Sequence, residues 1–315
     1  MLFLKAGTIL IFIFLAVLVF STLVFIGGYK EIIAQLSKVK ITTLLLLLLF
    51  SLGNYLVRFV KWEFFLRTLG INIKLLDSFL IFFSGLSMAL TPAKIGDTVK
   101  SYLLHKMEKV NVRISLPIIF GERLTDLFGL VFLSLVGITS IFLNFKFLIL
   151  VLILLFLGVF LVRTEKTFYF FIKLLSMIKF TKRYLNNIPL LHTSLKKLLS
   201  FKPMVISIIL SIVSWGLEAS ALYFLINSLG IQVQFLSIIF IYSFSLIAGA
   251  LAFLPAGLGV TEGSLLSLLV FIGLPLSLAS LSTIIIRVTT LWFGIILGLT
   301  SLFFLSGKVK VKEAV

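Results

Sequence analysis

Apolar residues run along this chain in long blocks separated by short polar stretches, and the blocks predict most of the architecture. Candidate membrane segments are 6–28, 41–60, 75–91, 115–142, 147–162, 203–229, 235–254, 261–274 and 278–305. Several reach or approach the ~20 residues a spanning helix needs, and none shows the strict alternation of an outer-membrane barrel strand. The expected fold class is all-α, a polytopic helical membrane protein with about 6–8 transmembrane helices.

Two blocks stop at a similar break, Pro92-Ala93-Lys94-Ile95-Gly96-Asp97 and Pro255-Ala256-Gly257-Leu258-Gly259, the second with Glu262 close behind. A Leu-Gly-Ile stretch precedes each, Leu69 to Ile73 and Leu229 to Val233, and a lone arginine follows each, Arg123 and Arg287. Gly70 to Pro92 is 22 positions and Gly230 to Pro255 is 25, while Pro92 to Arg123 is 31 and Pro255 to Arg287 is 32. Proline removes an amide donor and glycine permits tight backbone angles, so Pro92, Gly96, Pro255, Gly257 and Gly259 are read as helix-break residues. In hydrocarbon such a break persists only where it is buried in protein or lines a polar cavity. Paired interruptions in corresponding halves of a membrane protein point to a transporter's binding site.

Composition narrows the class. Of 315 residues 61% are hydrophobic and 12% charged, with a mean hydropathy of +1.25, as an integral membrane protein requires. The first run is longer than the ~7–15 residue core of a signal peptide and carries no clear cleavage site, so it reads as a retained helix. The chain has no cysteine, which excludes disulfides, thiol catalysis and thiolate metal sites. His105 and His192 have no metal-ligand spacing, and no cofactor is expected. Neither a P-loop, a Rossmann fingerprint, a Gly-x-Ser-x-Gly elbow nor a His-Glu-x-x-His motif occurs.

The net charge of +17 is spread between apolar runs, which makes it a topology signal and not a nucleic-acid footprint. Residues 163–202 and the tail with Lys308, Lys310 and Lys312 are expected to be cytoplasmic, against anionic headgroups that contribute about 1 kcal/mol per basic residue. Within 164–202, Phe168, Phe171, Leu174, Leu175 and Ile178 alternate with lysines, consistent with an amphipathic helix on the leaflet or with a solvated basic linker.

Simple crossings do not keep 163–202 inside. If 75–91 enters, breaks at 92–97 and returns through 98–106, and if 235–274 does the same from the other side, the large basic loop stays cytoplasmic. The chain then reads as one membrane domain, 1–315, with an inverted repeat: repeat A about 41–142 and repeat B about 203–305, each with a re-entrant hairpin. This scheme makes 61–74 a cytoplasmic loop and leaves 29–40 outside despite its mild positive excess. An outside N-terminus with 75–91 as a full span is the alternative. A multi-pass protein of the cell (plasma) membrane is expected.

Charges inside apolar runs are costly, about 2.5–3.5 kcal/mol each at the bilayer centre, and mark functional sites. Lys94, Asp97 and Lys100 accompany the first break. Glu122, Arg123 and Asp126 crowd one turn, where Arg123 can bind phosphate bidentately with the two acids holding it, or where all three form a structural ion-pair network. Arg287, Glu218 and Glu262 are placed either to face one interior cavity and partly compensate one another or to hold helices together. Together these nine form the expected substrate-binding set. Asn54, Arg58, Lys61 and Trp62 read as an interface anchor.

The ordered series Arg58 to Trp62, Leu69-Gly70, Pro92 to Asp97, Glu122-Arg123 with Asp126, and Leu254 to Gly259 with Glu262 resembles the lysylphosphatidylglycerol synthase transmembrane family, also called the flippase-like domain family. The likeness covers nearly the whole chain. It implies a polytopic helical domain that moves lipids with charged or glycosylated headgroups between leaflets. The chain ends shortly after the last apolar run, so the expectation is a membrane domain without the soluble synthase. Family members usually carry Pro-Gly-Arg at the first break, where this chain has Pro92-Ala93-Lys94; the lysine keeps the charge and loses the planar fork.

The leading expectation is a lipid translocase, not an enzyme, whose partner is a membrane lipid. The alternatives are a glycosyl- or phosphoryl-transferase acting on a polyprenyl lipid, with only Asp97, Glu122 and Asp126 to serve, and a non-catalytic membrane subunit. A partner synthase or a second copy of the chain completes the expected partners.

Overall fold

The computed structural model describes residues 6–91, 96–139, 146–176 and 188–314, which are helical with no strand among them. Helix α1 (Ala6–Gly27) follows the first apolar block and, at Gly28 with φ 77°, turns 93° into α2 (Tyr29–Leu36). The stretch expected as an outside loop thus contains a short helix, docked through buried Ile32.

Helices α3 (Ile41–Thr68) and α10 (Phe201–Ser228) have 28 residues each, about 40 Å at 1.5 Å per residue. Both are long and apolar enough to cross a membrane, as is the stretch Leu276–Lys308. That stretch comprises α13 (Leu276–Arg287), a π-helical turn (Val288–Trp292) and the start of α14 (Phe293–Ala314). The first of the three runs eight residues past the expected end at 60, which corrects the assignment of 61–74 to a loop. Lys61, Trp62, Phe65 and Leu66 continue the buried stripe of Leu47, Ser51, Asn54 and Arg58 at three- and four-residue spacing, so the helix has a face to bury there.

The interrupted segments are shorter. Helix α4 (Leu75–Leu86) has 12 residues and packs against α5 (Val99–Glu108), which has 10. Neither reaches the ~20 residues of a span. Helix α11 (Phe235–Leu251) leads through a 3-10 turn (Pro255–Gly257) into α12 (Val260–Phe271), and those two also pack together. Each arrangement is a pair of short helices that pack together across an interruption of the helical run.

The long helix before each hairpin ends in the same way. Ile71 N–H donates to Leu66 O and Gly70 N–H to Arg67 O; Ile231 N–H donates to Ile226 O and Gly230 N–H to Asn227 O. This is the Schellman cap, which requires a left-handed residue, and Gly70 and Gly230 take φ of 78° and 85°.

Helix α6 (Val112–Ile138) links the first hairpin to α7 (Lys146–Arg163), α8 (Glu165–Ser176) and α9 (Ile188–Leu198). Helix α9 lies on α6 with Leu195 and Leu198 buried, and Phe168 of α8 stacks on His192 of α9 at 4.5 Å. The described parts of the basic segment, α8 and α9, therefore pack on α6 and α7. Ile178, Lys179, Lys182 and Arg183 lie outside the described residues, as do Pro92 and Lys94 at the first break.

The long helices pack reciprocally. Helix α3 runs along α10, α4 along α14, and α11 along α6. Close approach needs small residues: a Cβ on Gly298 of α14 would sit 2.2 Å from Ser87 N beside α4.

Candidate functional site

The site begins on one face of α3. Asn54 Nδ2 donates to Ser214 O of α10 at 2.8 Å, and Lys61 Nζ meets Asp126 Oδ1 of α6 at 2.5 Å and Ser211 Oγ at 2.8 Å. Between them Arg58 places its guanidinium 5.2 Å from the ring centroid of Trp215. A serine face on α10, with Ser207, Ser211 and Ser214 buried, lets α3 come close enough for these contacts.

A second layer belongs to the first hairpin. Lys100 of α5 is ion-paired with Glu122 of α6 and rests over the rings of Trp62, at 4.7 Å, and Phe82, at 5.3 Å. Arg123 reaches Asp97 at 2.6 Å and Asp126 at 3.6 Å. The arginine is thus held by Asp97 and Asp126, whereas Glu122, expected to share that task, serves Lys100. Gly96 N–H donates to Thr91 Oγ1 at 2.8 Å, which satisfies one backbone group at this break.

The second break is closed by a parallel device. Arg287 Nε donates to Glu262 Oε1 at 2.5 Å and Nη2 to Ala256 O at 3.0 Å. Glu262 also accepts the N–H of Gly259 at 2.7 Å, capping the first turn of α12. Ala256 carries φ 50°, a left-handed conformation that costs a non-glycine residue roughly 1–2 kcal/mol. Its carbonyl is the one that Arg287 holds. Pro255, Gly257 and Gly259 stand at this break as expected, with φ of 67° and 84° at the two glycines.

These groups surround a cavity of about 320 Å³. Arg58, Asp97, Arg123, Asp126, Glu218 and Arg287 contribute its charged lining. Tyr55, Trp215 and Tyr242 contribute aromatic wall, and Leu86, Leu130, Leu246, Phe253 and Leu254 an apolar part. Tyr242 donates to Glu218 Oε2 at 2.6 Å, and Tyr55 donates to Thr290 O in the π-helical turn. That turn brings Thr290, Leu291 and Gly294 into the lining, a use of π-helical geometry common at functional sites.

Of the residues expected to bind substrate, Asp97, Arg123, Asp126, Glu218 and Arg287 line the cavity. Lys100, Glu122 and Glu262 stand behind its wall in ion pairs, and Lys94 lies outside the described residues. Arg58, Lys61 and Trp62 are buried and do not form an interface anchor. Their signal in the sequence is a polar stripe, Asn54, Arg58 and Lys61, at the spacing of one helical face, continuing a run otherwise apolar on that face. Tyr55, Trp215 and Tyr242 gave no comparable signal, since aromatic residues are ordinary on such helices.

Interrupted helices around a charged cavity define a polytopic helical membrane protein. The family model for the lysylphosphatidylglycerol synthase TM region matches residues 9–298, and the chain belongs to that family. It is 27% identical over 240 residues to a UPF0104 membrane protein of Methanocaldococcus jannaschii, covering 71% of this chain and 96% of the relative. A UPF0104 membrane protein of Pyrococcus horikoshii is 24% identical over 317 residues, with 90% and 95% covered.

Proposed function

We propose that the protein is a lipid translocase that moves a lipid with a charged or glycosylated headgroup between the leaflets of the cell membrane. The observation that carries this reading is the cavity itself. Six charged side chains from both halves of the chain line about 320 Å³ among helices of which three are long and apolar enough to span a bilayer. Centrally placed charges cost about 2.5–3.5 kcal/mol each, so a cluster that lines a space in place of filling it is explained by a polar guest.

The reciprocal packing supports a mode of movement. With α3 matched to α10, α4 to α11 and α6 to α13–α14, the contacts α4 with α14 and α11 with α6 exchange under the match. Two repeats related by an axis produce that exchange, and transporters of this kind alternate access by moving one repeat against the other. On this reading repeat A is about 41–142 and repeat B about 203–305, inverted with respect to each other, and the basic segment 163–202 and the C-terminus face the cytoplasm.

Leaflet exchange of labelled phospholipid in proteoliposomes tests the reading. Exchange above protein-free vesicles, reduced by Glu218→Gln, is the expected result. Purified protein that exchanges no faster than empty vesicles across anionic, zwitterionic and glycosylated lipids would overturn it.

A further inference from the structure

Four cations around the cavity, three of them buried and Arg123 half-buried, each touch a carboxylate: Lys61 with Asp126, Lys100 with Glu122, Arg123 with Asp97 and Arg287 with Glu262. Arg58 differs. It is 7% exposed and lines the same cavity, yet among the described residues it makes no direct ion pair and no hydrogen bond: its guanidinium lies over the ring of Trp215, and its charge acts on Asp126 from beyond contact distance. We propose that Arg58, stacked on Trp215, is the receptor for the phosphate of the lipid headgroup, a role that rests on the translocase reading.

The chemistry follows from what the guanidinium lacks. Arginine is charged at any working pH and carries five N–H donors in a planar fork. Burying them without acceptors is expensive, and a buried charge is ordinarily paired. Stacking on an indole covers one face of the plane and leaves the donor edges unspent. A phosphate oxygen pair fits those edges bidentately.

The setting is held in advance. One turn before Arg58, Asn54 fixes α3 to α10, and three residues after it Lys61 fixes α3 to Asp126 and Ser211. The helix that presents the fork therefore cannot roll away from the cavity. Leu86, Leu130, Leu246 and Leu254 continue the lining as an apolar surface, suited to the glycerol and first methylenes that follow a lipid phosphate. Arg123 and Arg287 are less suited as the first receptor, because each already spends donors on its own break.

Two sources could supply the anion, a lipid phosphodiester or free phosphate, and binding measurements separate them. Detergent-purified protein is titrated by calorimetry with dihexanoyl phosphatidylglycerol, with dihexanoylglycerol and with inorganic phosphate. Wild type is expected to bind the phospholipid at least tenfold more tightly than dihexanoylglycerol. Arg58→Gln is expected to abolish that preference, and Arg58→Lys to retain part of it. Because Arg58 makes no direct ion pair or hydrogen bond in the protein and Asp126 keeps Lys61 and Arg123, Arg58→Gln is expected to melt close to wild type, an outcome that loss of a structural ion pair would not give.

Equal affinity of wild type and Arg58→Gln for the phospholipid overturns the proposal, as does equal affinity of wild type for dihexanoylglycerol. If Arg58→Gln does not fold, loss of preference in a folded Arg58→Lys supports the assignment and full retention of it overturns it. Inorganic phosphate binding as tightly as the phospholipid upholds the phosphate site and overturns a lipid as its source. Failure of leaflet exchange with phosphate-dependent binding intact sinks the translocase reading and leaves the site standing.

Discussion

Arg287 and Glu262, 25 residues apart, meet through Nε and Oε1 at 2.5 Å inside the helix bundle, and the same guanidinium reaches across the second break to the carbonyl of Ala256. At the first break Arg123 meets Asp97 in the same way, 26 positions back along the chain, at 2.6 Å. The arginine that follows each interruption therefore returns to fasten it. A broken helix in hydrocarbon needs such closure, since its released backbone groups have no water to turn to.

Fastening implies a stability signature. Arg287→Met leaves Glu262 buried without its cation and is expected to cost about 3–5 kcal/mol, the usual penalty for halving a buried pair. Arg287→Met combined with Glu262→Met removes both charges and is expected to recover much of that loss. Thermal denaturation in detergent, followed by circular dichroism, measures the three variants together. A double variant as unstable as the sum of its singles would show that the two side chains do not act on each other.

Ion pairs in this chain should differ widely in importance according to burial. Lys61 and Asp126 are almost wholly enclosed, whereas Lys196 and Glu165 lie 3.7 Å apart with both side chains exposed. Lys61→Met is expected to destabilise by about 3–5 kcal/mol and Lys196→Met by less than about 1 kcal/mol. High salt should leave the first difference nearly unchanged and erase the second, because screening acts on exposed charges. Melting curves at low and high salt make the comparison.

How much of this was visible in the sequence depended on the physical signal each feature leaves. The second break was legible because Pro255, Gly257 and Gly259 have backbone requirements that no context removes. The Leu-Gly-Ile repeat was legible as a pattern, and its meaning as a pair of helix caps emerged only from the hydrogen bonds at Gly70 and Gly230. Arg58 and Lys61 misled because a basic pair near the end of an apolar run has two readings of equal local cost, snorkelling at an interface or pairing inside. Only tertiary packing against Ser211 and Asp126 decides between them. The division of partners inside the Glu122, Arg123 and Asp126 turn was likewise beyond spacing, since it depends on where Lys100 and Asp97 return from the first hairpin.

The closure of the second hairpin depends on a residue with no side chain. A Cβ added at Gly249 of α11 would lie 1.9 Å from Thr261 Oγ1 of α12, so Gly249→Ala forces the two helices apart. Overpacking of this kind is expected to cost about 1–3 kcal/mol. Thr261→Ala in the same chain removes the obstructing hydroxyl and should restore part of the loss. Both residues line the cavity, so Gly249→Ala should also slow lipid exchange, and a variant with unchanged melting and exchange would show that the hairpin tolerates a wider gap.

Movement of one half against the other can be tested at a single contact. Ser134 of α6 and Ser243 of α11 are buried with their hydroxyl oxygens 2.8 Å apart. Oxygens at that separation put the β-carbons near the roughly 3.5–4.5 Å that a disulfide spans. The chain has no native cysteine, so Ser134→Cys with Ser243→Cys introduces the only thiols present. Oxidation should join a helix of the first half to a helix of the second where the two pack together. If access alternates by relative motion of the halves, the oxidised protein exchanges lipid at the rate of empty vesicles and recovers on reduction. If exchange instead runs along a static charged groove, the oxidised and reduced proteins work equally well, while phosphate-dependent binding at Arg58 persists in both. The crosslink thus separates a moving carrier from a fixed path without disturbing any charged residue that lines the cavity.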